Sequence, residues 1–143
     1  MPRYVNEDFE FTLPDQWVER TVVTWTAPPV LGKVPPGFAV AYDVMPPDEE
    51  LLKYANRQVD SLRAMLKDWQ MIQQAATRID GREALSVLFS WALPSGRMMQ
   101  RQSFVRLDAR RVVSIGCTAA ESDFAAADSG WFGAIQNSLR FRG

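Results

Sequence analysis

Two glutamines stand where the hydrophobic pattern asks for apolar side chains, and the chemistry open to them is recognition. Gln58 falls inside the apolar arc of a helical segment, between Tyr54 and Met65 on one side and Leu51 and Leu62 on the other. Gln102 shares one face of a strand-like segment with Met98, Gln100, Phe104 and Arg106. A glutamine amide carries two donors and a two-lone-pair acceptor, so burying it unpaired costs on the order of 1 to 3 kcal/mol. Two readings follow. Each amide either satisfies a backbone group at the edge of the core, or lines an apolar groove and bonds the polar groups of an incoming segment.

Other chemistry is thinly represented. The chain has no histidine, which removes Ser-His-Asp and Cys-His nucleophiles, His acid/base work and most zinc sites. Cys117, in the apolar run VVSIGCT with Arg111 as its nearest cation in sequence, reads as a buried small hydrophobe. Asp48, Glu49 and Glu50 could in principle form a carboxylate pair, but they precede a helix, where Asp48 is the expected N-cap. Gly32-Lys33 lacks the frame of a phosphate loop. The sequence therefore predicts a protein that is not an enzyme, with no catalytic residue, cofactor or metal site.

The elements that must position the glutamines come next. A strand is expected over FEFTL (Phe9 to Leu13), ended by LPDQW, in which Trp17 can pack back onto the strand. A second covers Val18 to Ala27; a Pro/Gly-rich loop leads to a third over Phe38 to Met45. The clear helix runs from about Asp48 to Lys67. Four more strands are expected over Trp69 to Arg78, Glu83 to Leu93, Met98 to Leu107 and Arg111 to Thr118. Turn signals at Asp80-Gly81, Pro94-Ser95-Gly96 and Asp108-Ala109-Arg110 separate them. In LSVLFSWAL, Leu85, Val87, Phe89 and Trp91 make one bulky face and Ser86, Leu88, Ser90 and Ala92 a small one. A second helix, around Ser122 to Leu139, closes the chain. The fold class is α+β, an antiparallel sheet partly covered by helices, in one domain over residues 1–143.

Bulk properties narrow the partners. The net charge of −1 and pI near 5.5 give no footprint for nucleic acid. No apolar run reaches the roughly 18 to 20 residues that span a bilayer, so no direct membrane insertion is expected. One cysteine makes no internal disulfide, and MPRYVNEDFEF has no apolar signal region, so the expected location is the cytoplasm. Residues 71–143 carry nine arginines against six carboxylates, and residues 1–70 carry seven cations against eleven. That asymmetry fits either a steered association or solvated strand edges.

LPDQW after a short strand, the acidic-fronted helix containing NRQVDSL, and IDGREALSVLFSW followed by a turn and MMQRQSFV together resemble the DcrB-related domain family. Within it the chain is most similar to the Eag chaperones of type VI secretion effectors, over about Tyr4 to Leu139. The resemblance implies a Mog- and PsbP-like α/β/α sandwich, a homodimer and a place in the bacterial cytoplasm. It also implies an adaptor that binds and shields the hydrophobic N-terminal transmembrane helices of a secreted effector and aids its loading for export. Its client-binding groove maps onto Val22, Thr24, Ala41, Gln58, Leu62 and Gln102, and Phe104, on the same strand face as Gln102, is expected to line the groove with them. Thr24 stands where an aliphatic residue is expected, Ala41 where a small hydroxyl residue fits, and Tyr42 where a basic one does. The alternative is a stand-alone DcrB- or PsbP-like structural or envelope-associated protein with no helix client.

Overall fold

Turn residues cut the chain into short extended pieces, and the side-chain alternation within each decides which sheet face it serves. The computed structural model describes residues 3–5, 7–15, 21–28, 32 and 34–142. At the start, β1 (Arg3–Val5) and β2 (Glu10–Thr12) pair antiparallel as a separate ladder, with Tyr4 stacked on Phe11 at 5.1 Å. The strand expected at residues 9–13 is thus present as β2, but outside the main sheet, and β1 was not foreseen.

Six strands make the main sheet: β3 (Val22–Thr26), β4 (Gly37–Val44), β5 (Gln70–Ile79), β6 (Arg82–Leu93), β7 (Gly96–Arg106) and β8 (Arg111–Ala120). Their order is β3-β4-β8-β7-β6-β5, antiparallel throughout. The strand expected at residues 18–27 is present as β3 within the described residues; Trp17 and residues 18–20 lie outside them. Asp80 and Gly81 both adopt positive φ (51° and 74°), the geometry of a two-residue hairpin turn whose twist suits the flanking strands.

Helix α1 (Leu51–Met65) lies on one face, where Leu51, Tyr54, Ala55 and Val59 pack with Leu85, Val87, Phe89, Phe104 and Val112. The bulky face of LSVLFSWAL is the one it covers. On the other face, α2 (Glu121–Ala127) and α3 (Gly133–Ser138) join through a wide turn at 128–132, and Phe124, Ala127 and Phe132 pack on Cys117 and Ala119. The result is the α/β/α arrangement expected. The closing helix is broken, however: Gly130 leaves helical geometry (φ −98°, ψ −112°) and splits one expected helix into two short ones.

Asp48 is not the N-cap. It sits at φ 66°, α1 begins at Leu51, and Glu50 occupies the cap position without a side-chain bond. The Pro46-Pro47 turn is the cause, because the Glu49 N–H donates to the Pro46 carbonyl at 3.2 Å and holds the carboxylates ahead of the helix. Glu49 pairs instead with Arg57 at 2.5 Å, and its carbonyl accepts from Arg106 at 2.6 Å, tying the helix start to β7.

The arginine surplus is largely absorbed inside the fold. Arg101 grips Asp128 through two bonds of 3.0 Å and Arg97 reaches Glu121 at 3.5 Å, both drawing the closing helices onto the sheet. At the β7–β8 turn, Asp108 accepts from Arg111 Nε (2.6 Å) and from the N–H groups of Arg110 (3.0 Å) and Arg111 (2.8 Å). The Arg111 side chain first, and then those two amides, hold its carboxyl at about 2, below its ordinary 3.8. A depressed carboxylate pKa contributes stability that is complete above the ordinary value and lost as pH falls through the folded value. The Arg111 amide resonance is therefore expected to move only below about pH 4, with a midpoint near 2, and to stay flat in Asp108→Asn. A midpoint near 3.8 would show the turn to be open in solution.

Candidate functional site

The sheet register runs two rows of side chains across the α1 face. One is Thr24, Ala39, Gly116, Gln102, Val87; the next is Val22, Ala41, Ser114, Phe104, Leu85. In each row the residues of β6 are bulky, those of β4 and β8 are small, and β7 contributes one polar and one aromatic side chain. Helix α1 covers the bulky end. The small end is left open beside it, and that difference in side-chain volume is what makes a groove.

The groove has two continuous parts. Between α1 and the sheet lies a cleft of about 220 Å³ that Gln58, Leu62 and Met65 line from above and Gln102, Phe104 and Ser114 from below. Beyond it, about 320 Å³ opens over a floor of Ala39, Ala41, Ser114 and Gly116, bounded by Thr24 and Thr118. Gln102 and Ser114 belong to both. The width is fixed by Tyr54, whose hydroxyl donates to Asp43 on β4 at 2.8 Å and whose ring meets Phe104 edge-on at 5.8 Å. Met65 is 79% exposed at the mouth, although its helical position puts it on the apolar arc.

A short relay of amides orients the polar groups. The Thr118 hydroxyl donates to Gln100 Oε1 at 2.9 Å, and Gln100 Nε2 donates in turn to Gln102 Oε1. With its oxygen engaged, Gln102 offers its two N–H donors to the groove, and neither they nor the amide of Gln58 meet a partner among the described residues. Gly116 makes room for this: a Cβ there would lie 2.9 Å from Gln102 Oε1 and 3.1 Å from Gln100 Nε2.

Of the residues singled out from sequence, Val22, Thr24, Ala41, Gln102 and Phe104 share this sheet face, and Gln58 and Leu62 overhang it from α1. Their parts differ. Phe104 is 2% exposed and belongs to the core beneath the cleft, whereas Val22 is 63% exposed at the outer margin and lines neither part. Gly116, Ser114 and Thr118 were not foreseen as groove residues. A glycine inside a strand is itself a signal of close approach by another group, so the run SIGCT held the clue.

Cys117 points to the opposite face, buried against the closing helices. Burial, with the Asp128 carboxylate adding to it, pushes its thiol up to about 11, so it stays protonated and unreactive. Among the described residues no three His, Cys, Asp or Glu side chains gather as metal ligands, and no helix is long and apolar enough to cross a membrane.

Solved structures share this architecture. A Pseudomonas aeruginosa protein of unknown function, PA94, superposes with a TM-score of 0.81 at 20% identity, covering 100% of this chain and 98% of that one. LpqN of Mycobacterium tuberculosis, involved in cell envelope biogenesis, gives 0.63 at 15% identity over 90% of this chain and 79% of its own. Cyanobacterial PsbP (CyanoP) of Synechocystis sp. PCC 6803 gives 0.59 at 13% identity, over 99% and 92%. At these identities the likeness is one of fold, and the fold is PsbP-like. No curated protein sequence matches the chain. The DcrB family model matches residues 9–138, from β2 to the end of α3, and the chain belongs to the DcrB family.

Proposed function

We propose that this protein is a non-enzymatic adaptor chaperone of the bacterial cytoplasm that binds, as a homodimer, the hydrophobic N-terminal helices of a type VI secretion effector. One observation carries the reading: the amide of Gln58 and the N–H donors of Gln102, without partners among the described residues, line a single cleft whose continuation has a floor of Ala39, Ala41, Ser114 and Gly116. A transmembrane helix in water exposes a long apolar surface, and covering it gains roughly 25 cal/mol per Å². Helices about 10 Å across approach a surface closely only where its side chains are small, which is how they pack on each other in a bilayer. The backbone carbonyls at the frayed ends or kinks of such a helix need donors, and the two amides supply them. The resemblance to the Eag chaperones selects these same glutamines.

Coexpression with the N-terminal region of an effector encoded beside this protein tests the reading. Recovery of a soluble complex is expected, and aggregation of the effector helices despite an abundant, folded chaperone would count against it. That result would favour a DcrB-family protein with no helix client. Gln58→Ala and Gln102→Ala are each expected to weaken the complex by about tenfold, the worth of one well-placed hydrogen bond, while shifting stability by less than about 1 kcal/mol. A large drop in melting temperature with unchanged binding would instead assign both amides to packing.

A further inference from the structure

The second cavity of interest lies on the opposite face, so it is independent of the groove and of any helix client. It holds about 560 Å³ between the β4–β8 end of the sheet and the C-terminal tail. Its apolar lining includes Val40, Ile115, Leu139 and Phe141. The tail that forms one wall is held in place: the Phe141 N–H donates to Asp80 at 2.8 Å, and the Arg82 guanidinium lies over the Phe141 ring at 5.3 Å. The volume falls within the usual range of small-molecule sites, which combine apolar walls with a few placed polar groups.

The polar groups at this cavity are unevenly satisfied. Arg111 is closed by Asp108, and Arg82 donates to the Leu107 carbonyl at 2.7 Å. By contrast, the Tyr42 hydroxyl and the Arg142 guanidinium, which line the same space, have no hydrogen bond or ion pair among the described residues. Both are donors. Around them Arg82, Arg111, Arg140 and Arg142 outnumber Asp108 and Asp80, so the local field favours an anion.

We infer that this cavity binds an anionic amphiphile, an acyl chain on the apolar lining with its carboxylate on Arg142 and Tyr42. A guanidinium and a phenol hydroxyl match an acceptor-only head, and a carboxylate takes both at once. An uncharged head leaves the Arg142 guanidinium without a counter-charge, and a cationic head is repelled.

Isothermal titration of the full chain with decanoate, below its micelle-forming concentration, tests the assignment. One site per chain is expected, with at least tenfold weaker binding of 1-decanol and of decyltrimethylammonium. Arg142→Gln and Tyr42→Phe are each expected to cost about tenfold, the worth of one charge-assisted bond. Arg142 is exposed, so its variant keeps the fold. Equal affinity for decanoate and decanol overturns the inference, as does unchanged binding in both variants. Loss of decanoate binding in Gly116→Leu, on the other face, places the ligand in the groove and overturns it too. Binding to phosphatidylglycerol vesicles without binding of free decanoate reassigns the arginines to a membrane surface.

Discussion

Phe104→Ala is expected to lower the free energy of unfolding by about 3–5 kcal/mol. The side chain is 2% exposed, meets Tyr54 edge-on at 5.8 Å and packs in one cluster with Val59, Leu85, Val87 and Val112. Removing it leaves a ring-sized void under α1 that neighbours from two different elements cannot close together. For a chain of this size the melting temperature should fall on the order of 10 to 20 °C. Gln102→Ala, two residues away on the same face, should fall by no more than a few degrees. The contrast is the measurement, because a Phe104→Ala protein that loses no more than the few degrees expected of Gln102→Ala would place the ring outside the core. Phe104 therefore supports the groove from below, as a core residue whose ring forms part of the cleft wall.

What the sequence made legible was set by periodicity. The alternation of Leu85, Val87, Phe89 and Trp91 against Ser86, Leu88, Ser90 and Ala92 assigned both faces of β6 correctly, since a pleated strand has no other way to distribute them. The apolar arc of α1 did the same for Leu51, Tyr54, Ala55 and Val59. Gln58 and Gln102 were visible as breaks in those patterns, and the fold brings them to one cleft. Three features were not legible, each for a local reason. Pro46 and Pro47 suggested a capped helix start, but the turn they impose displaces Asp48 into a left-handed backbone and leaves the cap empty. Gly130 breaks a helix that the spacing of Phe124, Trp131, Phe132 and Ile135 makes look continuous. The pairing of β1 with β2 depends on contacts between aromatic rings, Tyr4 with Phe9 and Phe11, which no short-range pattern encodes.

Gly116→Leu is expected to abolish client binding to the limit of about a hundredfold loss, equivalent to about 2.7 kcal/mol, and Gly116→Ala to cost about tenfold. The glycine lies in β8 at an extended backbone position that any residue can adopt, opposite Ala39 on one side and Gln102 on the other. Alanine puts a Cβ 2.9 Å from Gln102 Oε1 and 3.1 Å from Gln100 Nε2, both at the far ends of flexible side chains. They can swing away at little cost, so stability should change by about 1 kcal/mol or less while the relay from Thr118 through Gln100 to Gln102 is broken. The donors of Gln102 then lose their aim. Leucine adds bulk to that loss, filling the space between Ala39 and Gln102 where a helix would seat. Both variants are read by pull-down of the effector region and by thermal melt. Unchanged binding by a folded Gly116→Leu protein would mean that the helix does not lie on the small-residue floor, and the proposed groove would be the wrong surface.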